Sequence, residues 1–129
     1  MNYALDIISI RSHKTVRESI DSLQEGFRAK GITIYARLDQ QAEAHKAGLE
    51  MRPLELLIFD NPKAGIPLMK SEPLVGLDLP LKLLAWESED QKVWVSFNSA
   101  AYLQHRFSLP DDLMKPISSV EGLIRELVG

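Results

Sequence analysis

The segment from residue 81 to residue 97 constrains the fold of this chain more than any other stretch. Two runs rich in β-forming residues, 81–87 and 92–97, flank the polar tetrapeptide Ser88-Glu89-Asp90-Gln91. A short polar connection between two such runs is typical of a β-hairpin, and a two-residue turn at Glu89-Asp90 is the simplest register. The sequence therefore predicts an antiparallel sheet built around this hairpin.

With a two-residue turn, apolar side chains lie on both faces of the predicted hairpin. One face carries Leu84, Trp86, Val93, Val95 and Phe97, and the other carries Leu83, Ala85, Trp94 and Ser96. Both faces are more apolar than a solvated sheet requires, so we expect both to be covered. Helices can cover one face. The second face needs a ligand, a long loop or another subunit.

The rest of the chain predicts helices and strands in alternation. The capping box Thr15-x-x-Glu18 begins a helix that ends near Gly31. Strands are expected over 3–10, 32–38 and 54–59, helices over 40–47, 99–107 and from Ser118 onwards, a helical turn over 67–70 and a packed loop over 72–80. This order predicts an α+β fold: a single compact domain over 1–129, with a largely antiparallel sheet and helices packed on one face.

Composition excludes several classes of protein. The chain has 129 residues, a formal charge of −3 and scattered basic residues, which predicts one domain and no nucleic-acid partner. The absence of cysteine excludes disulfides and thiolate chemistry. The sequence has no long apolar run and no recognisable signal peptide, so we expect no membrane partner and a cytoplasmic protein.

The stretch from Leu56 to Met69 is the first candidate site. An apolar run breaks into Asp60-Asn61-Pro62-Lys63, and Gly65 follows. Successive amides of this turn could form an anion-binding nest completed by Lys63. The alternative is an ordinary turn in which Asn61 caps a helix and Gly65 permits a positive φ. The stretch does not match a phosphate-binding P-loop.

Other candidates lie outside that turn. Arg37 and Asp39 end the second predicted strand, and they would lie near Lys63 if the second and third strands are neighbours. The alternative is an Arg–Asp pair that fixes a surface turn. Trp94 and Tyr102 are aromatic residues suited to a pocket wall or to a core. The histidines lack metal-ligand spacing, so neither a metal nor a cofactor is predicted.

Several motifs together resemble domain-of-unknown-function family 302. They are R-L-D at 37–39, N-P-K-A-G-x-P-L-M at 61–69, L-D-L-P-L-K at 77–82, V-W-V-S-F-N at 93–98 and A-Y-L at 101–103. The resemblance spans about residues 3–109 and leaves a C-terminal helical segment, 110–129. It implies a small prokaryotic protein with a TATA-binding-protein-like topology, often dimeric, with no assigned activity or cofactor. It does not imply DNA binding.

The chain also departs from the family pattern. The resemblance implies histidine where Gln40 and Phe107 stand, glycine at Asp60 and threonine at Ile66, whereas Arg37, Asp39, Asn61, Pro62, Lys63 and Gly65 match. The missing histidines weaken a catalytic interpretation and leave a binding interpretation intact.

These observations favour a dimeric, non-enzymatic module that binds a small anionic or amphipathic ligand between the second sheet face and the 60–66 loop. The predicted ligand-binding residues are Arg37, Asp39, Asn61, Lys63, Gly65, Trp94 and Tyr102. One alternative is a purely structural homodimer that uses the same face. Another is an enzyme in which Asp39, with Lys63 or Arg37, performs acid–base chemistry.

Overall fold

The structure, a computed structural model, describes residues 6–128. The strands are β1 (Ile7–Ser12), β2 (Thr33–Asp39), β3 (Leu54–Asp60), β4 (Leu81–Glu87) and β5 (Val93–Asn98). The α-helices are α1 (Val16–Ala29), α2 (Gln40–Lys46), α3 (Pro62–Ser71), α4 (Ala100–Phe107) and α5 (Lys115–Val128), and short 3-10 helices cover Pro73–Leu77 and Asp111–Leu113. The predicted α+β fold is confirmed.

The sheet is antiparallel throughout, with strand order β1-β5-β4-β3-β2. Helices α1 and α5 pack on one face, as predicted. The main core between them and the sheet consists of Val16, Ile20, Leu23, Phe27, Ile32, Leu57, Phe59, Leu83, Ala85, Val93, Val95, Phe97, Val120 and Ile124. The rings of Phe27 and Phe59 stack at its centre with their centroids 4.4 Å apart.

A second, smaller core joins α3, the 3-10 helices, α4 and the start of α5. It is built from Ala64, Leu68, Val75, Leu79, Ala100, Leu103, Leu109, Met114 and Ile117. Leu81, the first residue of β4, packs against both cores and connects them. The segment predicted as a loop over 72–80 contains a 3-10 helix whose Val75 side chain is fully buried in this core.

The predicted register of the hairpin is wrong by one residue. Trp86 pairs with Trp94 and Ala85 with Val95, because the loop has three residues rather than two. Ser88 N–H donates to the Lys92 carbonyl at 2.8 Å, and Gln91 lies in the left-handed region with φ +64°. This is the three-residue hairpin in which a left-handed residue follows a tight turn.

A one-residue slip exchanges the faces of every side chain on one strand relative to the other. Leu83 and Ala85 therefore share the helix-covered face with Val93, Val95 and Phe97, and Leu84 and Trp86 share the opposite face with Trp94 and Ser96. Both tryptophans of the chain thus lie on the same side of the sheet, away from α1 and α5.

Gln91→Gly is expected to stabilise the protein by roughly 0.5–1 kcal/mol, because glycine adopts a positive φ without the steric penalty that glutamine incurs. Urea denaturation measures the change. Glu89→Gly in the same loop, at a residue without a positive φ, is the control and should not stabilise. An equal change in the free energy of unfolding in the two variants would contradict the three-residue loop with a left-handed Gln91.

One strand is irregular, and two other local predictions need correction. A bulge between Ile34 and Ala36 breaks the alternation of β2, so Ile34 faces the core while Ala36 and Leu38 face the opposite side. Helix α3 begins at Pro62 rather than at residue 67. Ser118 does not begin the last helix, since α5 starts at Lys115. The start predicted for the first strand, Tyr3–Leu5, lies outside the described residues.

Candidate functional site

The sheet face opposite α1 and α5, called the open face below, has no helix packed against it within residues 6–128. Strand pairing brings these side chains together on it: Ile7, Ser9, Arg11, Ala36, Leu38, Leu54, Leu56, Ile58, Lys82, Leu84, Trp86, Trp94, Ser96 and Asn98. Ile7 is 48% exposed and Leu38 40% exposed, at the two sides of the sheet. An apolar surface of this extent is typical of an interaction site.

The polar atoms at the centre of the open face are already paired. Trp86 Nε1–H donates to Ser96 Oγ at 2.8 Å, and the hydroxyls of Ser96 and Ser9 are 2.7 Å apart. Because these groups satisfy one another, a partner can cover them without leaving them unpaired. The centre of the face is therefore suited to contact with an apolar surface.

The charged side chains that the described strands place on the open face are both cationic. Arg11 lies on edge strand β1, and Lys82 lies near the opposite end of the middle strand, β4. Asp60 ends β3, but its carboxylate is buried against the start of α3, where Oδ1 accepts a hydrogen bond from Asn61 N–H. The face is thus positive on a chain whose net charge is −3.

The turn that connects β3 to α3 is a helix start whose amides are used internally. Asn61 Oδ1 accepts from Lys63 N–H at 3.1 Å, and the Asn61 carbonyl accepts from Ala64 N–H and Gly65 N–H. These hydrogen bonds, with the one from Asn61 N–H to Asp60, leave no amide of the predicted anion nest available within this turn. The helix-capping interpretation of Asn61 is the one that the hydrogen bonds support.

Gly65 is required for a reason that differs from the predicted one. It lies inside α3 and is not among the positive-φ glycines, which are Gly31 and Gly48. A Cβ at position 65 would lie 3.0 Å from Asp60 Oδ2. Glycine is therefore needed to make room for the buried carboxylate. Burial raises the pKa of Asp60, and the hydrogen bond from Asn61 N–H offsets part of that increase.

Asp60→Asn is expected to stabilise the protein at neutral pH. A carboxyl whose pKa is raised by folding stabilises only while protonated, so the wild type loses stability as pH rises through the folded-state pKa. The advantage of the variant should therefore vanish below the ordinary pKa of 3.8. Urea denaturation of the wild type and the variant, from neutral pH to below pH 3.8, measures this difference in stability. Asp112→Asn, at an exposed aspartate, is the control, and a pH-independent advantage of Asp60→Asn would contradict the burial argument.

The guanidinium of Arg37 is held by two carboxylates, Glu55 on β3 and Asp21 on α1. Its Nε–H donates to Glu55 at 2.7 Å and its Nη1–H donates to Asp21 at 2.7 Å, while Nη2–H contacts the Arg17 carbonyl at 3.4 Å. Burial lowers the pKa of Arg37, but the hydrogen bonds and charges of Glu55 and Asp21 outweigh it and raise the pKa. Asp39 is occupied as well, since its side chain accepts from Ala42 N–H at the start of α2.

A cleft of about 570 Å³ lies beside this ion pair and includes Glu55 in its lining. Its walls come from the loop before α1, from the adjoining ends of β2 and β3, and from the β4–β5 hairpin. Its charged residues include Lys14, Arg17, Asp39, Glu55 and Glu87, and His13 also lines it. Both signs of charge line the cleft. Among the described residues, no three histidine, aspartate or glutamate side chains converge as a metal site.

The structure does not bring the seven predicted site residues together. Strands β2 and β3 are neighbours, as the hypothesis required, but they are antiparallel, so Asp39 pairs with Glu55 at the far end of β3 from Asn61 and Lys63. The length of β3 separates the two groups by roughly 17 Å. The structure therefore does not form the predicted shared polar site of Arg37, Asp39 and Lys63. It also does not provide the geometry that acid–base chemistry by these residues would need.

The two aromatic candidates also lie apart. Trp94 is on the open face, whereas Tyr102 on α4 packs against the second core and its hydroxyl is 3.5 Å from Arg106 Nη1. The sequence hypothesis missed Leu56 and Leu84 at the centre of the open face and Lys82 near the end of β4. The alternation of 54–58 and 82–86 carries the signal. The pairing of β3 with β4 aligns Leu56 with Leu84, and the correct hairpin register assigns them to the face opposite Val93, Val95 and Phe97.

Comparison with known proteins assigns this architecture to a family. The family model of the domain of unknown function DUF302 matches residues 8–127. The chain belongs to the DUF302 family. A crystal structure of an uncharacterised conserved DUF302 protein from Bacillus stearothermophilus has the same fold, with a TM-score of 0.81, 17% identity and 97% coverage of each chain. The family match runs through α5, so the last helix is part of this DUF302 fold.

Curated relatives of this DUF302 chain carry a name from another class of protein. The "Fluoride-specific ion channel FluC 1" of Brucella suis biovar 1 is 39% identical over 103 residues, which cover 80% of this chain and 41% of the relative. The protein of the same name from Brucella abortus biovar 1 is also 39% identical, with 38% of its length covered. The chain thus spans about two fifths of these relatives. Within residues 6–128, no helix is both long and apolar enough to cross a membrane.

Proposed function

We propose that this DUF302 chain is a non-enzymatic, homodimeric module that pairs with a second copy through the open face and holds a small amphipathic ligand there. The observation that carries the proposal is the open face itself. It is apolar, its central polar atoms are paired with one another, and it includes both tryptophans of the chain. Tryptophan is enriched among the residues that dominate binding energy in protein interfaces.

The size of the open face is sufficient for a dimer. Five strands of six or seven residues give a flat footprint of roughly 20 Å by 20 Å. The accessible area of the face is larger than this flat footprint, because side chains project from the sheet and residues at its edges also contribute. This brings the area toward the roughly 600–1,000 Å² per partner of standard interfaces. Two sheets that pack face to face, about 10 Å apart, would form a layered helix–sheet–sheet–helix dimer.

The dimer proposal also accounts for how the domain occurs in longer proteins. In the Brucella relatives, the matching segment is about two fifths of the chain. A domain that pairs with its own copy can bring together two copies of whatever is attached to it. We extend the proposal to those relatives as a pairing module for the remainder of the protein, and we assign no channel activity to this chain.

The non-enzymatic part of the proposal is supported by the separation of the polar candidates. Arg37 is bound to two carboxylates and Asp39 caps a helix, so neither is positioned to exchange a proton with Lys63 at the other end of β3. Acid–base catalysis needs the participating groups within hydrogen-bond reach of one substrate.

Native mass spectrometry of the full chain tests the proposed function. The expected spectrum is dominated by dimer at micromolar concentration, and gently purified dimers carry a small added mass that denaturation removes. A spectrum that contains monomer alone at every concentration would contradict the pairing. Dimers without added mass, even after incubation with short amphiphiles, would contradict the ligand part of the proposal and leave the pairing supported.

A further inference from the structure

A shallow groove on the open face combines one cation with an apolar floor. Its volume is about 260 Å³, and the side chains that matter for binding are Ile7, Leu56, Lys82, Leu84, Ser96 and Asn98. Ile7 and the two leucines supply the apolar part, whereas Lys82 and Asn98 lie at the same end of the groove. The volume is just below the roughly 300 Å³ at which small-molecule pockets begin.

Lys82 has no ion pair and no side-chain hydrogen bond among the described residues. Its neighbour across the strand pair is Ile58, and no carboxylate from residues 6–128 opens onto this face. Solvent hydrates the ammonium while the face is uncovered. A second copy that covers the face removes this water and adds another uncompensated lysine, which is unfavourable because a buried charge needs an opposite charge beside it.

We infer that the groove binds a single-chain carboxylate amphiphile, such as a medium-chain fatty acid, with its carboxylate on Lys82 and its alkyl chain on Leu56 and Leu84. This inference rests on the proposed dimer, because the second copy encloses the chain and makes the neutralisation of Lys82 necessary. Asn98 Nδ2–H is the additional donor for the carboxylate. Two facing grooves hold two ligands, one for each lysine.

Decanoate and the full-length chain provide the test, with binding followed by isothermal titration calorimetry and by the fluorescence of Trp86 and Trp94. We expect saturable binding of one decanoate per chain, below the concentration at which decanoate forms micelles. Lys82→Gln should weaken binding about tenfold or more, because a charge-assisted hydrogen bond is lost. Lys82→Arg should retain binding, and Lys30→Gln, at an exposed lysine that ends α1 on the opposite side of the sheet, should have no effect.

Sedimentation equilibrium on the same samples separates this inference from the proposed function. A dimer that shows no saturable decanoate binding, or binds it equally well with Lys82→Gln, overturns the inference and leaves the dimer supported. A chain that stays monomeric yet binds decanoate through Lys82 supports the site and overturns the pairing. Binding of decanol as tight as that of decanoate overturns the role of Lys82. Binding only to vesicles with anionic lipid, and not to free decanoate, overturns the single-chain ligand.

Discussion

Leu84→Lys is expected to convert the dimer of this DUF302 chain into folded monomers. Leu84 lies on the middle strand between Leu56 and Ser96, at the centre of the open face. An ammonium buried there by pairing would be desolvated beside Lys82 and without a carboxylate partner, which costs several kcal/mol for each copy. The dimer dissociation constant should therefore rise by at least about 1,000-fold, since each 1.4 kcal/mol is roughly a factor of ten.

The monomer should stay folded because Leu84 is on the side of the sheet away from the main core. Sedimentation equilibrium gives the dissociation constant, and circular dichroism with urea denaturation gives the fold and its stability. Leu74→Lys is the matched control, because Leu74 is 63% exposed on a 3-10 helix outside the open face. If Leu84→Lys remains as dimeric as Leu74→Lys, the open face is not the interface.

Arg37→Ala is expected to reduce the free energy of unfolding by roughly 2–4 kcal/mol, because it leaves a buried charge without its partner. Glu55 is only 6% exposed, and the guanidinium of Arg37 is 2.7 Å from its carboxylate. Asp21→Ala should reduce the free energy of unfolding far less, since the Asp21 side chain is 58% exposed and water can replace the ion pair. Urea denaturation of Arg37→Ala and Asp21→Ala measures both effects.

The Arg37 prediction separates a structural role from a ligand-binding role. Arg37→Met combined with Glu55→Leu should recover most of the stability, because an apolar pair of similar size can replace a buried ion pair. Lys63→Ala, at an exposed residue, should change stability by less than about 0.5 kcal/mol. A stability loss in Arg37→Ala no larger than that in Lys63→Ala would contradict the structural role.

The elements that the sequence predicted well are those determined by local interactions. Thr15 and Glu18 form both hydrogen bonds of the predicted capping box, and the helix buries Val16, Ile20, Leu23 and Phe27, which recur at helical spacing. Gly31 and Gly48 adopt positive φ just after the helices they end. Each of these features depends on residues within one or two turns of the chain, so sequence spacing is enough to identify it.

The candidate site was less predictable because it depends on long-range geometry. One additional residue in the hairpin loop, made possible by the left-handed Gln91, decides which face Leu84 and Trp86 occupy. The antiparallel pairing of β2 with β3 decides that Asp39 and Lys63 are far apart. The last helix starts at Lys115 rather than at Ser118, and Glu121 accepts a hydrogen bond from Ala100 N–H instead of capping its own helix. No local sequence pattern specifies these partners.

Acrylamide quenching of tryptophan fluorescence across a range of protein concentrations tests the central claim, that the open face pairs with its own copy. Trp86 and Trp94 are both half-buried on that face in the single chain, and the chain has no other tryptophan. Pairing through the face should shield both rings, so quenching should decrease as concentration rises, with the midpoint at the dissociation constant from sedimentation. Quenching that stays constant while sedimentation shows a monomer–dimer transition would place the interface elsewhere and contradict the account.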